Sequence, residues 1–326
     1  MTTSQKSTGD GADGTADFNF PVLSVIGVGM IGGSLALSLK KRRLVGQVIG
    51  YGRNHENLER ARELGVIDEI ATSASGAAQG ADMVVLATPV CAMGEIMDEI
   101  RPVLSAGAVV TDVGSVKQGV VDEARARLGA SLRRFVPAHP VAGKEKSGVD
   151  AATSDLYEQH RVALVPLEES DADAVERVES MWRQVGADIV RMGVAEHDRV
   201  LAMTSHLPHL LAYAMVHYFA AGEDREKCYE MVAGGFYDFT RIASSDPVMW
   251  RDICHMNRSA ILDHIRGYRD QLSRVEAMVD DDNYQELEAL FSAAREARAV
   301  VAERRRIRPS GEQATPKRWV RQLVNR

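Results

Sequence analysis

The stretch that decides the fold is Val22-Leu23-Ser24-Val25-Ile26-Gly27-Val28-Gly29-Met30-Ile31-Gly32-Gly33-Ser34. Val22–Ile26 is an apolar run with the look of a buried strand. It runs into Gly27-x-Gly29-x-x-Gly32, and Ile31–Leu39 follows with helical periodicity. Strand, glycines and helix in that order make a dinucleotide fingerprint. Gly27 permits a tight turn. Gly29 lets backbone approach a pyrophosphate, and Gly32 lets the helix pack close to the strand. The helix start would offer the free N–H groups of Met30 and Ile31, and a positive dipole end, to phosphates. Three glycines alone are weak evidence; the flanking strand and helix make an ordinary strand–helix turn the poorer reading.

Composition narrows the class. The chain has 326 residues, 45% of them hydrophobic, and a formal net charge of −7. That length exceeds one typical domain. The negative balance argues against a nucleic-acid scaffold. Cys91, Cys228 and Cys254 are too few and too scattered for a disulfide framework or a zinc site, so a reducing, cytoplasmic setting is expected. Residues 1–19 are mostly polar and small and read as a disordered tail without a signal-peptide core. No apolar run reaches the length of a membrane span. Residues 308–326 read as a flexible tail.

Outward from the fingerprint, Gln47–Tyr51 reads as a second strand. An NAD site usually places an acid near its end to bond the ribose hydroxyls. Here Gly52-Arg53-Asn54 stands there. Arg53 suits either the 2′-phosphate of NADP or stacking on the adenine of either dinucleotide, so NAD+ and NADP+ both remain open. Glu56–Leu64 reads as a helix, with Ile67–Ile70 as a third strand. Ala81–Ala87 is a fourth strand, apolar enough to be buried on both faces. It ends in Thr88-Pro89, where ligands sit in such sheets, so both are candidate cofactor contacts. Val90–Ile100 is helical in period. Ala108–Asp112 is a fifth strand ending at Ser115 and Lys117, followed by a helix over Gln118–Arg127. Arg134–Pro137 is a short strand delivering His139. Arg161–Pro166 and Asp188–Met192 are further strands around a helix over Asp171–Gln184.

Beyond Val194 only helical stretches appear: Ala195–Ala221, Lys227–Val232, Pro247–Met278 and Asn283–Ile307. The reading is therefore α/β: a Rossmann-type dinucleotide-binding domain over residues 20–193, then an all-α domain over residues 194–307. The long apolar faces of the second predict a homodimer.

His139 is the best candidate acid/base, since imidazole titrates near neutrality and the residue follows a strand at the cofactor edge. Ser115, at the neighbouring strand end, could bond both that histidine and a substrate hydroxyl. A packed histidine and a helix-capping serine are the bland alternatives; their shared edge favours function. His206 and His209 lie three apart on one helix face, but no third ligand stands at a recognised spacing, so no metal is expected. Arg241, in Gly234–Trp250, has the planar fork that clamps a carboxylate, which suggests an anionic small molecule. A surface ion pair is its ordinary fate.

Taken together, Val25–Ser34, Asp112–Lys117, His139–Gly148, Glu196–His209 and Gly234–Trp250 resemble the prephenate/arogenate (cyclohexadienyl) dehydrogenase family of tyrosine biosynthesis. The resemblance runs from about residue 22 to 300. It implies that His139 is the base taking the C4 hydroxyl proton and that Ser115 bonds that hydroxyl and positions the imidazole. It implies that Arg241 binds a substrate carboxylate, that His209 helps hold the substrate and that Glu145 gates or orients the site. Asp238 and Trp250 would be supporting residues, Asp238 steadying His209 or Arg241. Prephenate, arogenate or both would be substrates, and tyrosine feedback is plausible because product resembles substrate. Gly52 departs from the acid that many NAD-using relatives carry. A related β-hydroxyacid or imine reductase would want a lysine on the helical domain, and Ala195–Ala221 has none. A non-catalytic NAD(P) sensor would not need Ser115, His139 and Arg241.

Overall fold

The computed structural model describes residues 19–143 and 148–306. The readings made for the two tails, and for Glu145, lie outside the described residues.

The apolar runs become strands β1 (Phe20–Ile26), β2 (Val45–Tyr51), β3 (Glu69–Ile70), β4 (Met83–Leu86), β5 (Val109–Asp112) and β6 (Phe135–Val136). They form one sheet in the order β3-β2-β1-β4-β5-β6, every pairing parallel. Helices α1 (Met30–Lys41), α2 (His55–Glu63), α3 (Ala74–Ala78), α4 (Met93–Ile100) and α5 (Gln118–Arg127) provide the crossovers. The order reverses between β1 and β4, and ligands bind in such sheets at the strands' carboxyl ends there. Successive residues of β4 serve opposite cores: Met83 and Val85 join Leu23, Val25 and Leu35, while Val84 and Leu86 join Ile26, Met97 and Val121. This two-sided burial explains the unbroken apolar run.

A second sheet, β7 (Ala138–Val141), β8 (Arg161–Leu164) and β9 (Asp188–Arg191), pairs β7 antiparallel and β9 parallel to β8. His139 was expected to follow a strand. It lies instead inside β7, opposite Ala163. The expected strand Arg134–Pro137 shortens to β6, because Pro137 supplies no N–H for a ladder and the chain changes sheets there. Helix α6 (Ala172–Gln184) joins β8 to β9.

The helical part is more divided than its pattern suggests. Ala195–Ala221 is α7 (Val194–Leu201), a π turn over Ala202–His206, and α8 (Leu207–Ala221). Then come α9 (Arg225–Met231), α10 (Gly234–Thr240), α11 (Pro247–Met256), α12 (Arg258–Asp280) and α13 (Tyr284–Arg306). Pro247–Met278, read as one helix, breaks at Asn257, whose side chain has buried partners described below. Gly234-Gly235 opens α10. The chain divides into two compact units, residues 1–264 and 265–326, and the site described next lies in the first. No helix among the described residues is long and apolar enough to cross a membrane.

Candidate active site

The fingerprint glycines are required by space. Gly27 has φ +102°, and a Cβ there would stand 2.5 Å from the carbonyl carbon of Ala87 and 2.8 Å from the Thr88 nitrogen. A Cβ on Gly32 would meet the Gly27 oxygen at 2.6 Å. The ends of β1 and β4 and the start of α1 thus touch through glycine. Gly29 differs: a Cβ there would meet nothing within 4 Å. It caps α1 in extended conformation, no side chain caps the helix, and no acid lies in its first turn. Thr88 Oγ1, beside the turn, is buried without a hydrogen-bond partner among the described residues. Open space, an uncapped helix start and an unsatisfied hydroxyl fit a dinucleotide's pyrophosphate. Met30 and Ile31 are half-buried in the first turn of α1, and Pro89 is exposed at the β4 end. At the end of β2, Arg53 is exposed and the Asn54 side chain accepts the Asn57 N–H at 3.0 Å.

The carboxyl end of β5 carries a buried ion pair. Asp112 and Lys117 are both fully buried, and Lys117 Nζ bonds Asp112 Oδ2. The same Oδ2 accepts the Gly114 N–H at 2.8 Å, and Oδ1 accepts the Ala138 N–H at 3.3 Å. One carboxylate therefore fastens three pieces: the strand end, the loop bearing Ser115, and the start of the strand bearing His139. Ser115 is half-buried on that loop.

His139 is 7% exposed. Its Nδ1 lies 2.9 Å from His197 Nε2, and His197 Nδ1 lies 2.8 Å from Asp198 Oδ1. Asp198 also accepts backbone N–H groups, from Lys117 at 2.7 Å and Gln118 at 2.9 Å. Burial, with His197, Lys117 and His206 nearby, pushes His139 well below its ordinary pKa. Burial also lowers His197, by more than the Asp198 hydrogen bond offsets. Burial raises Asp198, but the hydrogen bonds from His197, Gln118 and Lys117 outweigh it and hold the carboxyl below its usual range. Near neutrality the row is two neutral imidazoles backed by a carboxylate.

The helical residues extend this row. Asn257 Nδ2 donates to the Asp198 carbonyl at 2.9 Å and bonds His206 Nδ1 at 3.1 Å. His206 is pushed down to about 4, chiefly by burial. Its ring meets Trp250 edge-on at 6.0 Å, and His209 stacks on Trp250 at 3.9 Å. His209 Nδ1 donates to the Ser205 carbonyl at 2.9 Å, leaving Nε2 to accept. Burial, with the nearby Arg241 charge, lowers His209. Arg241 and Asp238 line a cavity of about 560 Å³ with Phe219, Tyr229 and Phe236. Among the described residues no three His, Cys, Asp or Glu side chains gather as metal ligands.

The structure thus joins Gly27, Gly32 and Thr88 at one turn. It links Ser115 and His139 through Asp112, and clusters His209, Trp250 and Arg241. Asp238 shares Arg241's cavity wall. His197, Asp198, Lys117 and Asn257 were not singled out from sequence. Glu196-His197-Asp198 was visible as a block, but adjacent residues on a helix point apart, so nothing in the spacing announced a pair.

A buried imidazole next to the β5 end, on a sheet whose glycine turn has room for a pyrophosphate, fits a nicotinamide-dependent oxidoreductase, NAD(P) being the cofactor class. Comparison with known proteins narrows this. A family profile described as "Prephenate dehydrogenase, nucleotide-binding domain" matches residues 35–191, and one described as "Prephenate dehydrogenase, dimerization domain" matches residues 194–293. Prephenate dehydrogenase of Bacillus subtilis is 38% identical over 277 residues, 83% of this chain and 74% of that protein. Cyclohexadienyl dehydrogenase of Zymomonas mobilis is 32% identical over 292 residues, 89% and 99% of the two chains. The crystal structure of Aquifex aeolicus prephenate dehydrogenase, in complex with hydroxyphenyl propionate and NAD+, superposes with a TM-score of 0.81 at 36% identity, covering 86% of this chain and 98% of that one. The chain belongs to the prephenate dehydrogenase family.

Proposed function

We propose that the chain oxidatively decarboxylates prephenate to 4-hydroxyphenylpyruvate in tyrosine biosynthesis, with His139 as the base. The observation that carries the proposal is His139 itself: buried, neutral, held at Nδ1, and tied through Asp112 to the loop of Ser115. The aromatic acid and NAD+ held by the Aquifex relative are of the classes this pocket suits. Arogenate carries an amine in place of the side-chain ketone. It is the second substrate to test, since a Synechocystis arogenate dehydrogenase also superposes, with a TM-score of 0.72 at 28% identity over 86% of this chain and 99% of that one.

Bound dinucleotide supplies the hydride acceptor, held by Gly27, Gly29, Met30, Ile31, Gly32, Thr88 and Pro89, with Arg53 at its adenosine end. His139 takes the proton of the C4 hydroxyl as hydride leaves C4. Ser115 bonds that hydroxyl. The new ketone, conjugated with the ring diene, accepts the electron pair freed when the ring carboxylate leaves as carbon dioxide, and a proton returns to the phenolate oxygen. Aromatisation drives the step, so the protein's work is orientation and charge placement. Arg241 pairs with a substrate carboxylate, His209 and Trp250 form a stacked wall, and Asp238 supports Arg241. Glu145 retains the gating or orienting role implied by resemblance.

Residues 20–193 serve as the dinucleotide-binding domain and 194–307 as the substrate and dimerisation domain, a division supported by profile matches that end at 191 and resume at 194. The setting is the cytoplasm, and the working form is a homodimer.

The test mixes protein, prephenate and NAD+ or NADP+ and follows reduced cofactor by absorbance. Folded protein giving no signal with either cofactor would sink the proposal. Competing titrations of wild type and Gly52→Asp then decide the dinucleotide. A Cβ at Gly52 would meet only Leu58, at 3.8 Å, so the acid is accommodated and should move preference toward NAD+.

A further inference from the structure

We infer that His197 and Asp198 are positioning residues that lock His139 in the tautomer whose lone pair is on Nε2. The inference rests on His139 being the base, and the experiment below separates the two.

The argument is one of donors and acceptors. The backbone N–H groups of Lys117 and Gln118 can only donate, and both point at Asp198, 2.7 Å from Oδ1 and 2.9 Å from Oδ2. Asp198 therefore has acceptor capacity on both oxygens, as an ionised carboxylate does. The third group on it, His197 Nδ1 at 2.8 Å, must then be a donor. A neutral imidazole that donates from Nδ1 accepts at Nε2. The atom facing His197 Nε2 is His139 Nδ1, at 2.9 Å, so that nitrogen carries the hydrogen. A neutral His139 then has one free lone pair, on Nε2. Two obligate backbone donors at one end fix the protonation pattern at the other, two imidazoles away.

No second arrangement of two neutral rings satisfies the row. Reversing His139 would put two lone pairs in contact at 2.9 Å unless His197 also reversed, and a reversed His197 would present a lone pair to Asp198. The surroundings defend the same state. Lys117 and Asp112 face the row from the β5 end and His206 from the π turn. The buried Lys117 ammonium disfavours a proton on either imidazole.

The consequence for the reaction is defined at each atom. The hydroxyl O–H bond breaks and Nε2–H forms, while Nδ1–H stays where it is. No proton travels to His197. The charge left on His139 is held by a hydrogen bond whose acceptor is backed by the Asp198 carboxylate. Without that backing the neutral base would divide between tautomers, and the fraction with hydrogen on Nε2 could not accept the proton.

The experiment compares His197→Gln, which retains an acceptor oxygen, with His197→Leu, which has none, in the full-length enzyme, alongside His139→Asn. His197→Leu is expected to lower kcat by about 10²-fold, the usual scale for disabling general-base catalysis, with little change in KM for prephenate or in dinucleotide Kd. His197→Gln should recover most of that loss. In wild-type protein labelled with ¹⁵N-histidine, the His139 resonances should show a protonated Nδ1 and an unprotonated Nε2 at neutral pH. This spectrum decides the matter if His197→Leu fails to bind dinucleotide. His197→Leu with wild-type kcat, His197→Gln no better than His197→Leu, or a hydrogen on Nε2 would each overturn the inference. If His139→Asn is inactive while any of these occurs, the base survives and only its orientation is wrong; an active His139→Asn removes the base itself.

Discussion

At the scale of single residues, burial is the dominant force on the site, and its sign is testable. His206 has a folded-state pKa of about 4 against an ordinary 6.5, and His139 and His197 are displaced in the same direction. Below 6.5 the unfolded chain binds these protons and the folded one resists them. Stability from these groups is thus fully present above pH 6.5 and is lost as pH falls. For His206 the loss is complete near pH 4 and amounts to about 3 kcal/mol. Denaturant titrations between pH 7 and pH 4 should show this decline; a flat profile would contradict it. The acid limb of kcat should likewise lie below pH 6.5, because His139 stays unprotonated past the point where a free histidine would charge. The buried ion pair predicts a different signature. Lys117→Met removes the partner of the buried Asp112 and should cost about 3–5 kcal/mol of stability, read as a lowered denaturation midpoint.

At the scale of elements, the glycines separate structure from binding. Gly27→Ala forces a Cβ against the Ala87 carbonyl in a positive-φ position, and should destabilise the fold by at least about 1–3 kcal/mol. Gly29→Ala meets no protein atom, so its melting temperature should stay at the wild-type value while dinucleotide Kd rises. Equal loss of stability in both variants would refute this division. The same elements show what sequence could reveal. Two-sided apolar runs and the glycine spacing made β1, α1, β4 and β5 legible, because burial and backbone geometry leave a local imprint. The π turn at Ala202–His206 left none, since its apolar pattern runs on unbroken from α7 into α8. The break at Asn257 was equally hidden. Its cause is a buried amide serving Asp198 and His206, partners 59 and 51 residues away. Ser115, His139 and Arg241 were legible as residue types at strand ends or in a distinctive block, and resemblance supplied their roles. The His197–Asp198 backing was not, because its meaning depends on which strand lies opposite.

At the scale of the molecule, the helical half exposes large apolar side chains. Tyr218 and Met231 are 80% and 81% exposed, and Tyr237 is 64% exposed. Such surface is unusual on a chain that works alone. Its match to the family's dimerization domain gives the expected covering, a second copy. Sedimentation should therefore return the mass of two chains, and Met231→Asp should shift the equilibrium toward one; a wild-type monomer at assay concentrations would remove that role from this face.

The triple fastening at Asp112 carries a lesson for redesign. The Ser115 loop and the His139 strand hang from the two oxygens of a single side chain, so neither can be re-aimed alone. Enlarging the pocket by grafting a longer loop after β5 would drag His139 along with it. New substrate preference is better sought on the helices, where His209 and Trp250 hold each other by stacking and not through Asp112.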